Sequence, residues 1–365
     1  MFTLLIFLIV IAVLVLSHEF GHFIVAKWKG MRVDEFGFGF PPRLFGKQYG
    51  ETTYTFNLLP FGGFVKIWGE DDMEGASDPR NFAARNAWDR FLVLVAGVGM
   101  NFVLAYVLFT FGHAIGIPSV VGAGEGARDA MVRVVDVVPG SPAAEAGVKA
   151  GDSILELIPS SDTESSWHSR NVNVSEIEQV QDFVKMHAGV EITMVVERVH
   201  EKLLLPITLR NEAPPGEGLL GIAMAKVGIV RTPWYRAPWE GLLTTISTTK
   251  FVAEGLAFFF ANIFSSDVIN SVAGPVGIAK VAGEANALGF IYLLQLVAVL
   301  SINLAILNIL PIPALDGGRV LFLIIEKLRG KPVGVHISQF AHTAGFLVLI
   351  FLMLVVTYFD LTRIF

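Results

Sequence analysis

The sequence predicts an α-helical polytopic membrane protein of about four transmembrane helices, with a membrane-reentrant β-hairpin and one inserted α+β domain. Three observations predict it. The 365-residue chain is 53% hydrophobic and only 16% charged, with a mean hydropathy of +0.60; ordinary soluble domains are ~45–50% apolar and ~25% charged. Four apolar runs approach the ~20 residues a helix needs to cross a bilayer. Between the second and third runs lies a polar interval with the strand and helix patterns of a soluble domain.

The first run covers residues 2–16 and continues through 23–26. A cleaved signal peptide is the competing reading, but no basic segment precedes the run and no small-residue cleavage site follows it. Lys27, Lys29 and Arg32 come directly after, which predicts a cytoplasmic end there and an N-terminus facing out. Residues 27–67 hold VDEFGFGF and TTYTFNLL with PPRLFGKQYGE between them, a hairpin pattern that runs on into PFGGFVKI. The segment is apolar enough to dip into the bilayer, where non-helical backbone survives only if buried in protein or lining a wet cavity. Residues 91–111 form the second run, after Arg80, Arg85 and Arg90. Residues 1–112 are thus predicted as one region.

Residues 113–212 are predicted as an extracytoplasmic domain. MVRVVDVV is a strand, PGSPAAEAG carries turn glycines 140 and 147, and KAGDSILEL turns into another strand. SEIEQVQDFVKMHAG is a helix with a Ser175/Glu178 capping box and Gly189 as its stop. EITMVVERV and KLLLPITL form a hairpin, and the polar residues 159–171 form a loop. Residues 213–284 are predicted as a linker, APPGEG, followed by an amphipathic surface helix over 239–264 that Glu240, Lys250 and Glu254 interrupt. A fifth span there is the alternative. Residues 285–365 hold the last two runs: 288–310, before Arg319, Lys327, Arg329 and Lys331, and 346–359, which can begin as early as His336. The charge bias places both termini and residues 113–285 outside.

Net charge of −6 leaves no basic patch for nucleic acid, and the absence of cysteine excludes disulfides and thiolate ligands. The first run ends in SHEFGH. On a helix His18 and His22 share a face, and Glu19 lies about 100° round from His18. That is the geometry of two zinc ligands and a general base, with zinc lowering the pKa of its water to ~7. The bland alternative is a polar cluster joining helices. Ionisable groups at membrane depth cost at least ~2.5–3.5 kcal/mol and mark functional sites, which favours zinc. A third protein ligand is required. His168, His187 and His200 fall in the inserted domain, and His113 at the far end of its span. His336 and His342 remain open, but Asp316 is the better candidate. It follows an apolar span broken by Pro311 and Pro313, before Gly317 and Gly318, at the cytoplasmic side of His22. Capping of the next helix is its alternative role. Asn303 and Asn308 are intramembrane amides suited to holding an unwound substrate backbone or Asp316, against helix–helix bonding worth ~0.6 kcal/mol on average. Asn101, beside Gly97 and Gly99, fits close packing of the second span.

The SPAAEAGVKAGDSI stretch resembles a PDZ domain, a fold that binds an extended peptide by adding it to a sheet edge. HEFGH in the first span, PFGGFVK, this PDZ-like insert, GPVGIA at 274–279 and NLAILNILPIPALDGG together resemble the bacterial site-2 protease family, of the RseP type. The likeness covers nearly the whole chain. It implies a Zn2+ endopeptidase with His18, His22 and Asp316 as metal ligands and Glu19 as catalytic base. It implies substrate binding at Gly62 and Gly63 of the reentrant strand and at Asn303, Asn308, Pro311 and Pro313. The substrates implied are single-span membrane proteins, anti-sigma factors already trimmed by an upstream site-1-type protease or remnant signal peptides, in the bacterial inner membrane. The zinc site lies towards the cytoplasmic end of its span, so cleavage is expected there. Two features depart from the family pattern: a single PDZ-like domain where the RseP type has two, and Val98 where proline is usual. A PDZ-bearing scaffold with a vestigial zinc site is the rival function. A metal transporter would need polar residues along the length of several spans, and here they gather at one depth.

Overall fold

A computed structural model describes residues 2–70, 77–121, 128–159, 171–199, 201–214, 216–262, 273–331 and 333–364. The chain divides into two compact units, Met1–Gly112 with Trp234–Phe365, and His113–Pro233. Among the described residues four helices are long and apolar enough to cross a membrane. They are α1 (Phe2–Trp28), α2 (Ala87–Ile115), α7 (Phe290–Ile309) and α9 (Val335–Ile364). The last begins at the early limit that the sequence allows.

In the first unit α1 ends where Gly30 takes φ +71, and the Gly30 and Met31 N–H groups donate back to Lys27 and Ala26. This is a left-handed glycine stop. β1 (Val33–Tyr49) and β2 (Thr52–Ile67) follow. The sequence puts residues 41–51 in the connection, but β1 continues to Tyr49 and the turn is only Gly50–Glu51, with Gly50 at φ +63. Glu35–Phe38 pairs on one side with Thr53–Phe56 and on the other with Gly63–Lys66, while Arg43–Tyr49 runs along Thr52–Asn57. The long apolar strands thus fold over one another, and a tight 2-residue turn replaces the expected proline loop. Lys27 at the end of α1 donates to Glu51 at 2.6 Å, which ties the hairpin tip to the helix.

The unit resumes with α5 (Ala237–Ala261), α6 (Pro275–Leu288), α7 and α8 (Asp316–Arg329) before α9. Ile6, Val10 and Leu14 of α1 bury against Ala282 of α6 and Val297 of α7. Val252 of α5 packs with Ala105 and Phe109 of α2 and with Ala298 and Ile302 of α7. The Lys250–Glu254 pair, 3.8 Å apart, stays exposed. At the start of α6 the Gly274 and Gly277 N–H groups donate to the buried Asp360 carboxylate of α9, at 3.1 and 2.8 Å. Ala26, Met31, Val93, Leu94 and Leu323 form a further cluster.

The second unit is a seven-stranded sheet. Its strands are β3 (Ile117–Val120), β4 (Arg128–Val137), β5 (Ser153–Pro159), β6 (Val172–Asn173), β7 (Glu191–Arg198), β8 (Glu201–Thr208) and β9 (Ile222–Val230). They run in the order β3-β9-β4-β5-β7-β8, with β6 beside β5. Two helices, α3 (Pro142–Glu145) and α4 (Ile177–Met186), complete the unit. The stretch assigned from sequence to a linker after 212 therefore contains a strand of this sheet. β9 inserts between β3 and β4, so the unit extends to Pro233. The α4 cap also moves by one residue: Glu176 is the N-cap and Gln179, not Glu178, accepts from its N–H at 3.1 Å. Arg198 donates from Nε and Nη2 to the buried Asp152 carboxylate, both at 2.7 Å, and these bonds raise the guanidinium pKa above its usual range. Most of the polar loop 159–171, and His168 and His200, lie outside the described residues.

Candidate metal centre

Helical spacing puts His18 and His22 one turn apart on the buried side of α1. Their Nε2 atoms lie 3.2 Å apart with rings nearly perpendicular, at 82°. Asp316 comes to them from the start of α8. The N-cap position there belongs to Leu315, so the Asp316 carboxylate does not serve as the cap. Its Oδ2 lies 3.0 Å from His18 Nε2 and 3.3 Å from His22 Nε2.

The three atoms make a nearly equilateral triangle. A tetrahedral zinc with bonds of ~2.0–2.1 Å separates its ligand atoms by about 3.3 Å. Asp316 Oδ2 is buried and makes no hydrogen bond, an orphaned acceptor between two imidazole nitrogens. Two imidazoles and a carboxylate, with no thiolate, match the three-ligand set of a catalytic zinc with one position open. Among the described residues this is the one group of three or more such side chains with ligand geometry.

The far side of each imidazole is also fixed. His22 Nδ1 donates to the Val93 carbonyl at 2.8 Å, which leaves Nε2 as the metal-facing atom. His18 Nδ1 faces the Asn101 amide at 3.3 Å. Asn101 is fully buried, its backbone carbonyl accepts from the Ser301 hydroxyl at 2.8 Å, and its Oδ1 has no partner. Turning the amide over places Oδ1 on the His18 Nδ1–H. Amide orientation is assigned from such networks, and a metal on Nε2 demands this donor at Nδ1. The packing role expected for Asn101 is thus joined by contact with the His18 ring.

Room for the cluster comes from glycine. A Cβ at Gly97 would lie 2.3 Å from His22 Nε2 and 2.7 Å from His18 Cε1. A Cβ at Gly21 would lie 2.3 Å from the Ala96 carbonyl oxygen. The only sequence signal for this was the small-residue pattern AGVGMN. Val98 is buried, and α2 runs unbroken through it.

The other predicted residues divide. Glu19 lies against β2: a Cβ at Gly63 would sit 3.4 Å from Glu19 Cγ. Gly62, at φ +101, makes the bend beside it. Asn308 brings its amide nitrogen to 3.4 Å from His18 Nε2. Asn303, five residues earlier and half-buried, makes no hydrogen bond to the trio among the described residues. Pro311 and Pro313 lie in the turn between α7 and α8, whose carbonyls crowd the glycine pair: Cβ atoms at Gly317 and Gly318 would approach Leu310 O to 2.1 Å and Ile312 O to 2.4 Å. His336 is exposed, and His342 binds the backbone of this turn instead of the trio. A cavity of about 490 Å³ lies beside the turn, lined by Ala314, His342 and the ion pairs Glu70–Arg319 and Arg90–Glu326.

Comparison with known proteins shows the family. The profile of Peptidase family M50 matches residues 6–352. The protein named "Putative zinc metalloprotease CPE1693" of Clostridium perfringens is 33% identical over 360 residues, covering 97% of each chain. The protein named "Regulator of sigma-W protease RasP" of Bacillus subtilis is 29% identical over 447 residues, covering 100% of this chain and 99% of the relative. The "Zinc metalloprotease RasP" of Geobacillus kaustophilus is 28% identical over 442 residues, covering 98% and 97%. With four helices of spanning length, the chain is a multi-pass bacterial membrane protein, and it belongs to Peptidase family M50, the site-2 proteases, as a zinc metalloprotease.

Proposed function

We propose that this protease cleaves transmembrane segments of single-span membrane proteins inside the bilayer, with His18, His22 and Asp316 holding the zinc and Glu19 as general base. The observation that carries the proposal is the ligand triangle with 3.0–3.3 Å edges at the end of a helix of spanning composition. Bound zinc supplies Lewis-acid polarisation of the scissile carbonyl and acidifies water. Glu19 takes the proton from the attacking water and passes it to the leaving amine. Asn308, beside His18, orients the substrate backbone.

A substrate helix must unwind first, because its carbonyls are held in i→i−4 bonds. Gly63–Lys66 is the segment of β2 that passes Glu19, and among the described residues it pairs on one side only, with β1. It supplies replacement backbone bonds for an added strand. Gly63 lets that strand pass close to Val15 and Glu19, and Gly62 makes the bend before it, packed on the Phe40 ring. Pro311 and Pro313 leave backbone groups in the turn available on the opposite side.

The name of the Bacillus subtilis relative assigns it to sigma-W regulation. By extension the substrates here are anti-sigma factors already shortened by an upstream site-1-type protease, or remnant signal peptides. The chain sits in the inner membrane with both termini and the PDZ-like unit outside, as the lysine and arginine bias of the loops supports. The test is co-expression with candidate single-span substrates. Wild type is expected to yield a cleavage product, and Glu19→Gln to yield none. Cleavage by Glu19→Gln at near wild-type rate sinks the base assignment, and an unchanged cellular phenotype would favour the scaffold reading.

A further inference from the structure

We infer that His342 is a positioning residue for the Asp316 carboxylate, acting through the backbone of Ala314; this rests on Asp316 being a zinc ligand. Ala314 has φ +79, in the left-handed region. The other non-glycine residue with positive φ among those described is Val199, at the β7–β8 turn. An L side chain in this region is strained and persists only where its surroundings impose the conformation. A glycine at 314 would adopt it freely. The neighbouring positions where the chain needs glycine, Gly317 and Gly318, have it. At 314 an alanine is held instead.

His342 of α9 is what holds it. Its Nδ1 accepts the Ala314 N–H at 3.0 Å. The imidazole is seated edge-on against Phe322 of α8, with ring centroids 5.6 Å apart. One turn on, α9 closes on the same segment: a Cβ at Gly345 would lie 2.4 Å from the Pro313 carbonyl oxygen. From Ala314 the chain passes through Leu315, whose N–H donates to Ile312 O at 3.2 Å, directly to Asp316. The φ of Ala314 therefore sets the direction in which the turn delivers the carboxylate to the two histidines. Without an acceptor at 342 the Ala314 N–H loses its partner and its φ can relax. The Asp316 Oδ2 position, fixed to within 3.0–3.3 Å of both nitrogens, relaxes with it.

The test is zinc affinity by chelator competition on the purified full-length protein in detergent. Outer groups that orient metal ligands are worth ~10–100-fold in affinity, so His342→Leu should weaken zinc about tenfold. His342→Asn, with an amide oxygen in place of Nδ1, should stay within about twofold of wild type. Ala314→Gly removes the left-handed penalty, so His342→Leu in that background should cost no more than about twofold. A merely structural His342 would give the same loss in both backgrounds, and that result overturns the inference. Wild-type affinity in His342→Leu, or a tenfold loss in His342→Asn, also overturns it. Asp316→Ala in the same assay separates the two failures. If it keeps zinc, the ligand assignment falls and this inference with it. If it loses zinc while His342→Leu does not, this inference alone falls.

Discussion

Around the inserted sheet, Val132, Ile154, Leu157, Phe183, Ile192 and Met194 belong to a single apolar core, and the buried carboxylate of Asp152 is met by Arg198. Around His18 and His22 the apolar contacts are split among separate clusters, and buried polar residues, the two histidines with Asn101 and Ser301, contact one another. The solvent accounts for the difference. In water, burial of apolar area drives assembly at ~25 cal/mol per Å². In lipid that drive is absent, and helices associate through close backbone approach at small residues and through polar contacts. Gly21 against Ala96, Gly97 against His22 and Gly345 against Pro313 are such approaches. The inserted unit should therefore fail when a large side chain is made small, and the metal centre when a small one is made large.

The largest effect is expected from Gly97→Ala. The new methyl would fall 2.3 Å from His22 Nε2, where something must shift, so zinc affinity should drop by more than the ~10–100-fold that outer-shell changes cost. Normal zinc content and cleavage in this variant would show that the membrane unit does not depend on close approach at Gly97. Leu157→Ala in the inserted unit should lower its stability by ~3 kcal/mol, seen as faster hydrogen exchange in β5 and β7 of the full chain, with zinc content unchanged. Arg198→Ala should cost the same unit ~2 kcal/mol, because it strands the Asp152 carboxylate while leaving water some access. The smallest effect sharpens the site itself. Asn101→Leu should weaken zinc about tenfold, while Asn101→Asp, which still accepts from His18 Nδ1–H, should not. If Asp at 101 proved as damaging as Leu, Asn101 would be a donor or a packing residue.

The sequence made parts of this plain for physical reasons. His18, Glu19 and His22 were legible because five residues of one helix carry their geometry. Asp316 was legible because two prolines and two glycines flag a broken helix beside it. Asn101 and Gly97 were not, since the rotation and depth of α2 against α1 are set by packing between segments some 80 residues apart. The hairpin turn was misplaced because Pro41-Pro42 reads as a loop, whereas β1 bends there and continues to Tyr49. β9 was missed because it pairs with strands about 100 residues earlier, and a strand completed at that distance leaves no local signal. His342 was weighed as a ligand, and it binds instead the turn that leads to Asp316.

Whether His18, His22 and Asp316 hold a zinc is decided by the zinc content of the purified full-length protein, with wild type compared to Glu19→Gln, His22→Ala and Asp316→Ala. About one zinc per chain is expected in wild type and in Glu19→Gln, and nearly none in His22→Ala and Asp316→Ala. Zinc retained at full occupancy by Asp316→Ala, or lost from Glu19→Gln, would contradict it.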